Sequence, residues 1–288
     1  MNSTVSASDS CTIETELKDI LTIDSCTTLV AELIKFILYR KQQLPYTFDR
    51  LKYLITKKNS KEMQESASSV PSSVERQFKI AENGLETLEL LFEKTREELA
   101  DSKKGCISEV ALLFGSTPMT PKQVYIIHLP KLCLDHLAKN HPERKHLVHL
   151  LQSVILSNNL SAMLTKPMSP TNMYLFIKKH RNCELGNESD LNQWFIPKNS
   201  YQIPRSGQHF HIKFNHPNSH TQNCTCGGFS IYSEATGASL IPKILEHKPE
   251  IDVELEEEDN CWYQADRIFK GFTDVYINGV SVADLWLR

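Results

Sequence analysis

Between Leu29 and Tyr39 apolar side chains fall on almost every bearing of a helix, and Glu32 with Lys35, three residues apart, leaves only a narrow polar stripe. The pattern predicts a central helix that must be covered on more than one side. Arg40, Lys41, Gln42 and Gln43 then carry it out to water, and Pro45 stops it because the proline ring forbids another turn. This charged, amide-rich exit is a candidate contact point. A second long helix is predicted over 74–100, with Phe78, Ala81, Leu85, Leu88, Leu91, Phe92 and Leu99 near three-to-four spacing. Gly84 inside it costs about 1 kcal/mol relative to Ala, which packing must absorb. A third helix begins near Pro142, a residue suited to a first turn. Its apolar face, formed by Leu147, Val148, Leu150, Leu151, Val154 and Ile155, is broader than a helix lying on one side of a sheet needs. Part of it is therefore expected to face a partner.

Around these helices the apolar period shortens to two. Segments 106–114 and 123–129 read as a hairpin whose turn, GSTPMTP, holds Gly115, Pro118 and Pro121. Short β-prone runs follow at 171–179, 193–196, 208–214 and 228–232, then CWYQADRIF and TDVYING near the end. Three helices beside a mostly antiparallel sheet predict an α+β domain. Residues 1–25 are expected to be disordered or loosely ordered, with 13–23 a short amphipathic lead-in, and 26–288 to form one domain. Phe48 to Ile55 suggests one more packed element, after which 56–73 turns wholly polar. Loops 60–73 and 246–260 are expected to be mobile. The run DVELEEEDN in the second repels itself and reads most simply as a solvated loop, an acidic docking site being the alternative.

Composition narrows the function. At 288 residues and 40% hydrophobic content the chain can bury a sizeable core. A net charge of −3 and a pI near 6.4, with no basic block, argue against nucleic acid as the main partner. No apolar run approaches the roughly 20 residues that span a bilayer, and the N-terminus lacks the basic and apolar regions of a signal peptide, so no membrane is expected. Eight scattered cysteines then read as reduced thiols in the cytosol or nucleus. Cys224 and Cys226, with His209, His211, His216 and His220, are zinc-type ligands, but a CxC pair with scattered histidines has neither ribbon nor finger spacing. A polar hairpin loop explains them, and no metal is expected. Phosphate-loop, dinucleotide, nucleophile-elbow and HExxH signatures do not occur. His180 near Cys183 is the one catalytic temptation, and a polar strand end accounts for it, so neither an enzyme nor a cofactor is expected. Trp194, Phe195, Trp262, Phe269 and Phe272 read as core aromatics of the sheet, with an interface role as the alternative.

Four motifs recur in a known order and spacing: LIKFILYRKQQLP from Leu33 to Pro45, HRNC from His180, WF.PK..Y..P from Trp194 to Pro204, and W-aromatic-QA followed by FKGF from Trp262 to Phe272. In them most of the chain resembles the comet family, which silences the mitotic checkpoint by binding the HORMA-domain protein Mad-two (Mad2). The resemblance implies a HORMA-like fold, three helices on one face of a mostly antiparallel sheet with a C-terminal safety-belt segment. In that fold Trp262, Phe269, Lys270, Gly271 and Phe272 would form the terminal strand that fills the place of a bound peptide. It further implies a non-catalytic adaptor that binds closed Mad2 through the helix exit (Arg40, Lys41, Gln42, Gln43) and the third helix (Leu147, Leu151, Val154). The adaptor would present Mad2 to a Pch-two-type AAA+ ATPase (TRIP-thirteen), acting in nucleus and cytoplasm and on the mitotic spindle. Two positions depart from the family: Arg40 stands where a contacting glutamine is expected and Leu151 where a phenylalanine is. FKGF lies near the family's C-terminus, whereas here 273–288 continue. A HORMA module that captures a peptide in a meiotic or DNA-repair pathway is the alternative, decided by whether Trp262 to Phe272 already fill the belt.

Overall fold

The computed structural model describes residues 10–17, 21–62, 72–101, 107–130, 143–157, 161, 164–180, 194–215 and 260–286. Helix α1 (Ile23–Arg40) starts well before the apolar run, because Thr22 and Ser25 form a reciprocal capping box. The Ser25 N–H donates to Thr22 Oγ1 at 3.3 Å and the Thr22 N–H to Ser25 Oγ at 2.9 Å. Leu29, Val30, Leu33, Ile34, Ile37 and Leu38 are all buried, as a central helix requires. Even the polar stripe is partly covered. Lys35 Nζ lies 2.7 Å from Glu32 and 4.6 Å above the Phe48 ring, so its stem packs while its charge stays paired.

Helix α2 (Phe48–Glu62) runs further than Phe48 to Ile55, through residues that read as a polar linker. The polarity is that of an outer helix flank. Lys52 pairs with Glu89 at 2.7 Å, Lys58 with Glu75 at 3.0 Å, and Asn59 donates to Glu82 at 3.0 Å, which ties α2 to α3 (Ser72–Asp101). The expected loop 60–73 is thus shortened from both sides, and its remainder, 63–71, lies outside the described residues.

The strands are β1 (Ser10–Glu16), β2 (Ile107–Gly115), β3 (Pro121–His128), β4 (Asn172–His180), β5 (Phe195–Lys198), β6 (Gln208–Asn215), β7 (Asn260–Ala265) and β8 (Phe269–Lys270). They form one sheet in the order β1-β6-β3-β2-β4-β7-β5, with β8 also on β4. The β1/β6 and β6/β3 pairs are parallel and the others antiparallel, so the fold is a mixed α+β domain with a mostly antiparallel sheet. Part of the N-terminal segment expected to be loose is the edge strand β1. Ile13 and Leu17, four apart, mimic a helical face; the buried Thr15 between them restores the period of two. On one face Leu112, Phe114, Tyr125, Leu175, Phe210 and Ile212 belong to the large core shared with the helices. On the other, Phe176 and Trp262 anchor a smaller cluster, where Tyr201 stacks on Phe176 at 5.0 Å. Phe195, Phe269 and Phe272 are buried in the large core, and Trp194 packs at its margin. No helix among the described residues is long and apolar enough to cross a membrane.

After Phe272 the chain turns through a hairpin, β9 (Tyr276–Ile277) and β10 (Val280–Ser281), then a short helix α5 (Val282–Leu285). Asn278 and Gly279, at φ 51° and 80°, supply the two positive φ angles that a tight hairpin turn needs. The continuation is anchored on the helices. Gln77 Nε2 donates to Thr273 O at 2.7 Å, and Trp286 meets Phe78 edge-on at 5.3 Å. The runs at 228–232 and 246–259 lie outside the described residues.

Gly84 has a structural reason inside α3: a Cβ there would stand 2.9 Å from the Phe272 ring. Gly84→Ala, which stabilises an ordinary helix by about 1 kcal/mol, is expected to destabilise this one by a similar amount because Phe272 must move. Urea unfolding of the variant checks the inverted sign.

Candidate functional site: the helix exit and the fourth helix

Helix α1 ends before Pro45 can act. Gln42 sits at φ 54°, its N–H donates to Tyr39 O at 3.0 Å, and the Gln43 N–H reaches back to Leu38 O at 2.9 Å. These are the two bonds of a Schellman ending, with glutamine where glycine is usual. The turn sorts the four exit residues into two sets. Arg40 is half-buried and Gln42 exposed, whereas Lys41 and Gln43 are 0% exposed. The reading that all four run out to water is corrected here, because the left-handed residue between Lys41 and Gln43 swings both inward. Tyr39, 42% exposed, joins Arg40 and Gln42 on the outside.

The Gln43 amide satisfies four backbone groups at once. Its Nε2 donates to Lys41 O and Met168 O, both at 3.0 Å, and at 3.4 Å to Ser169 O, while Oε1 accepts from the Thr171 N–H at 2.9 Å. Its own carbonyl accepts from the Phe272 N–H at 3.0 Å, and the Gly271 N–H bonds Thr171 O at 2.9 Å. A Cβ on Gly271 would overlap Gln43 Oε1, so the glycine of FKGF is required by the close approach of that amide. Beside it, Lys41 Nζ donates to Lys166 O at 3.2 Å. Burial, with the Lys166 charge nearby, pulls the Lys41 ammonium down to about 8.

Helix α4 (Glu143–Leu156) packs on α1 and β1. Its wide apolar face divides: Leu150 is fully buried, Leu147 packs against the core and Leu151 is half-buried. Val148 at 47% and Leu156 at 77% stay exposed. The side chains of Val154 and Ile155 lie outside the described residues. Exposed Tyr39 and Val148 are therefore carried by two helices in contact; Val148 belonged to the face expected to turn partly outward, whereas Tyr39 was read only as part of the central helix, its signal being an apolar position with no place left in the core.

The terminal residues lie where Gln43 can fix them. β7 pairs antiparallel with β4, Trp262 opposite Lys178, and β8 continues on β4 with Phe269 opposite Met173 and Lys270 opposite Asn172. Among the histidines, His209 and His211 stand on β6, and His128 Nε2 lies 3.0 Å from His211 Nδ1. Glu109 lies 3.6 Å from the other His128 nitrogen and 3.3 Å from Lys178. Burial lowers the His211 pKa, and the neighbouring His128 and His209 lower it further. Among the described residues no group of three or more His, Cys, Asp or Glu side chains could hold a metal ion. His216, His220, Cys224, Cys226 and the run 181–183 lie outside the described residues, as does the side chain of His180.

The assembled features are those of a mixed α+β domain that leaves apolar side chains exposed on two helices in contact. A family model described as "p31comet: Mad1 and Cdc20-bound-Mad2 binding" matches residues 9–240, and the chain belongs to this family. It is similar to the MAD2L1-binding protein of Homo sapiens, 24% identical over 252 residues, which cover 87% of this chain and 76% of the human protein. The MAD2L1-binding protein of Mus musculus is 24% identical over 249 residues, 86% of this chain and 74% of the mouse protein.

Two substitutions test the exit. Gln43→Leu leaves four backbone groups without their side-chain partner and is expected to cost about 3 kcal/mol, read from the urea midpoint. For Lys41 the unfolded chain titrates at its ordinary value near 10.5 and the folded one at about 8. The unfolded state therefore binds more protons between these values, and stability rises with pH across that window. Lys41→Met is expected to flatten this rise and to gain about 2 kcal/mol at pH 7, measured as the difference between the two pH profiles.

Proposed function

We propose that this protein is a non-catalytic adaptor with a HORMA-like fold that binds the closed form of Mad2. Its contact strip is Tyr39, Arg40 and Gln42 on the α1 exit with Val148 and Leu151 on α4. Membership of the p31comet family and the printed names of its relatives support Mad2 as the partner. The observation that carries the site is the exposure of Tyr39 and Val148 on two helices that pack together. Lys41 and Gln43 act in this reading from within, by setting the turn that presents Arg40 and Gln42. Presentation of bound Mad2 to a Pch-two-type AAA+ ATPase, checkpoint silencing and a nuclear, cytoplasmic and spindle-associated location complete the proposal, and rest on the motif resemblance alone.

Capture of a foreign peptide beside β4 is not favoured, because β7 and β8 of the chain itself already pair there. Titration of the purified protein against closed Mad2 tests the reading. Val148→Glu is expected to fold normally and to weaken the complex at least tenfold by placing a charge in a desolvated contact. Arg40→Glu should weaken it mainly through slower association. Absence of a complex at micromolar concentration, or unchanged affinity in both folded variants, would reject the proposal.

A further inference from the structure

Helix α2 carries a second surface that the Mad2 reading does not use. Helix α2 packs on α3, whereas α4 packs on α1 and β1. Between Phe48 and Glu62 there are five cations against two anions, in a chain whose net charge is −3. On its α3 side Lys52 and Lys58 are committed to Glu89 and Glu75. Away from α3, Tyr53 is 50% exposed, with the Arg50 guanidinium 5.5 Å and the Lys57 ammonium 5.6 Å from its ring centroid. Among the described residues neither Arg50 nor Lys57 has a carboxylate partner. An exposed aromatic ring held between two unneutralised cations is a recognition surface without its counter-charge.

We propose that Arg50, Tyr53 and Lys57 form a docking site for an acidic, extended segment of a second protein. Spacing sets the motif. Arg50 and Lys57 are seven residues apart, a rise of about 10 Å along a helix. An extended chain covers that distance in about three residues, at roughly 3.3 Å each. Side chains of an extended chain alternate between two faces, so carboxylates four residues apart, about 13 Å at that spacing, share one face with an apolar side chain midway for the Tyr53 ring, and the long Arg50 and Lys57 side chains span the difference. None of these three residues belongs to the α1–α4 strip.

The test uses the full chain and a fluorescein-labelled dodecapeptide built from the repeat Glu-Thr-Val-Thr, followed by fluorescence anisotropy at 50 and 200 mM salt. Saturable binding is expected, weakened several-fold by the added salt as exposed charge pairs are screened. Binding should fall at least tenfold in the double variant Arg50→Glu, Lys57→Glu, and several-fold in Tyr53→Ala. The three side chains are on an outer helix flank, and thermal unfolding confirms that the variants fold. The matching Lys-Thr-Val-Thr peptide should not bind. No saturable binding, equal binding by the charge-reversed variant, or tighter binding of a twelve-nucleotide single strand than of the acidic peptide would overturn the proposal. Affinity for closed Mad2, measured on the same variants, should be unchanged; loss of both together would mean that the two surfaces are one.

Discussion

One buried amide, that of Gln43, sets the geometry on which the proposed interface depends. Its side chain holds the backbone of Lys41 and of the segment 168–171, and its carbonyl receives Phe272, so the end of the central helix, the start of β4 and the terminal strand meet at one residue. A buried backbone group left unpaired costs on the order of 1–3 kcal/mol, so an amide that bonds several at once specifies the arrangement as a unit. Gly271 and Gly84 follow from it. The first admits the amide and the second admits Phe272, whose main chain the amide residue holds.

The exit residues show how an inner set positions an outer one. A left-handed Gln42 costs about 1 kcal/mol or more relative to glycine, and it is retained in a turn where Lys41 is also pulled from its ordinary protonation range by burial. Both local costs are offset by the contacts of Gln43. The outcome is a fixed direction for Tyr39, Arg40 and Gln42 at the end of α1. Helix α2 keeps its charges fixed differently, pairing Lys52 and Lys58 with carboxylates of α3 and leaving Arg50 and Lys57 to water.

Much of this was legible in the residues. The α+β class, the central helix, the β2–β3 hairpin and the buried aromatics of the late strands all follow from apolar periodicity, because burial of those side chains is what forms the elements. The misses have local causes. Strand β1 fell in a segment expected to be loose, since Ile13 and Leu17, four apart, fit an amphipathic lead-in as well as a strand, and the second half of α2 looked like a linker because residues 56–62 are polar throughout. Lys41 and Gln43 looked solvent-bound because side-chain polarity says nothing about a chain reversal set by one φ angle. What joins Gln43 to Gly271 is separated by most of the sequence, and no periodic pattern records it.

The central claim is that the α1 exit and α4 together form the face that meets closed Mad2. Amide hydrogen exchange of the full chain, with and without saturating closed Mad2, reads this directly. The account predicts added protection confined to 39–43 and 143–156, with β2–β4 and α2 unchanged. Protection centred on α2 or the sheet, with the α1 exit and α4 exchanging as in the free protein, would contradict it.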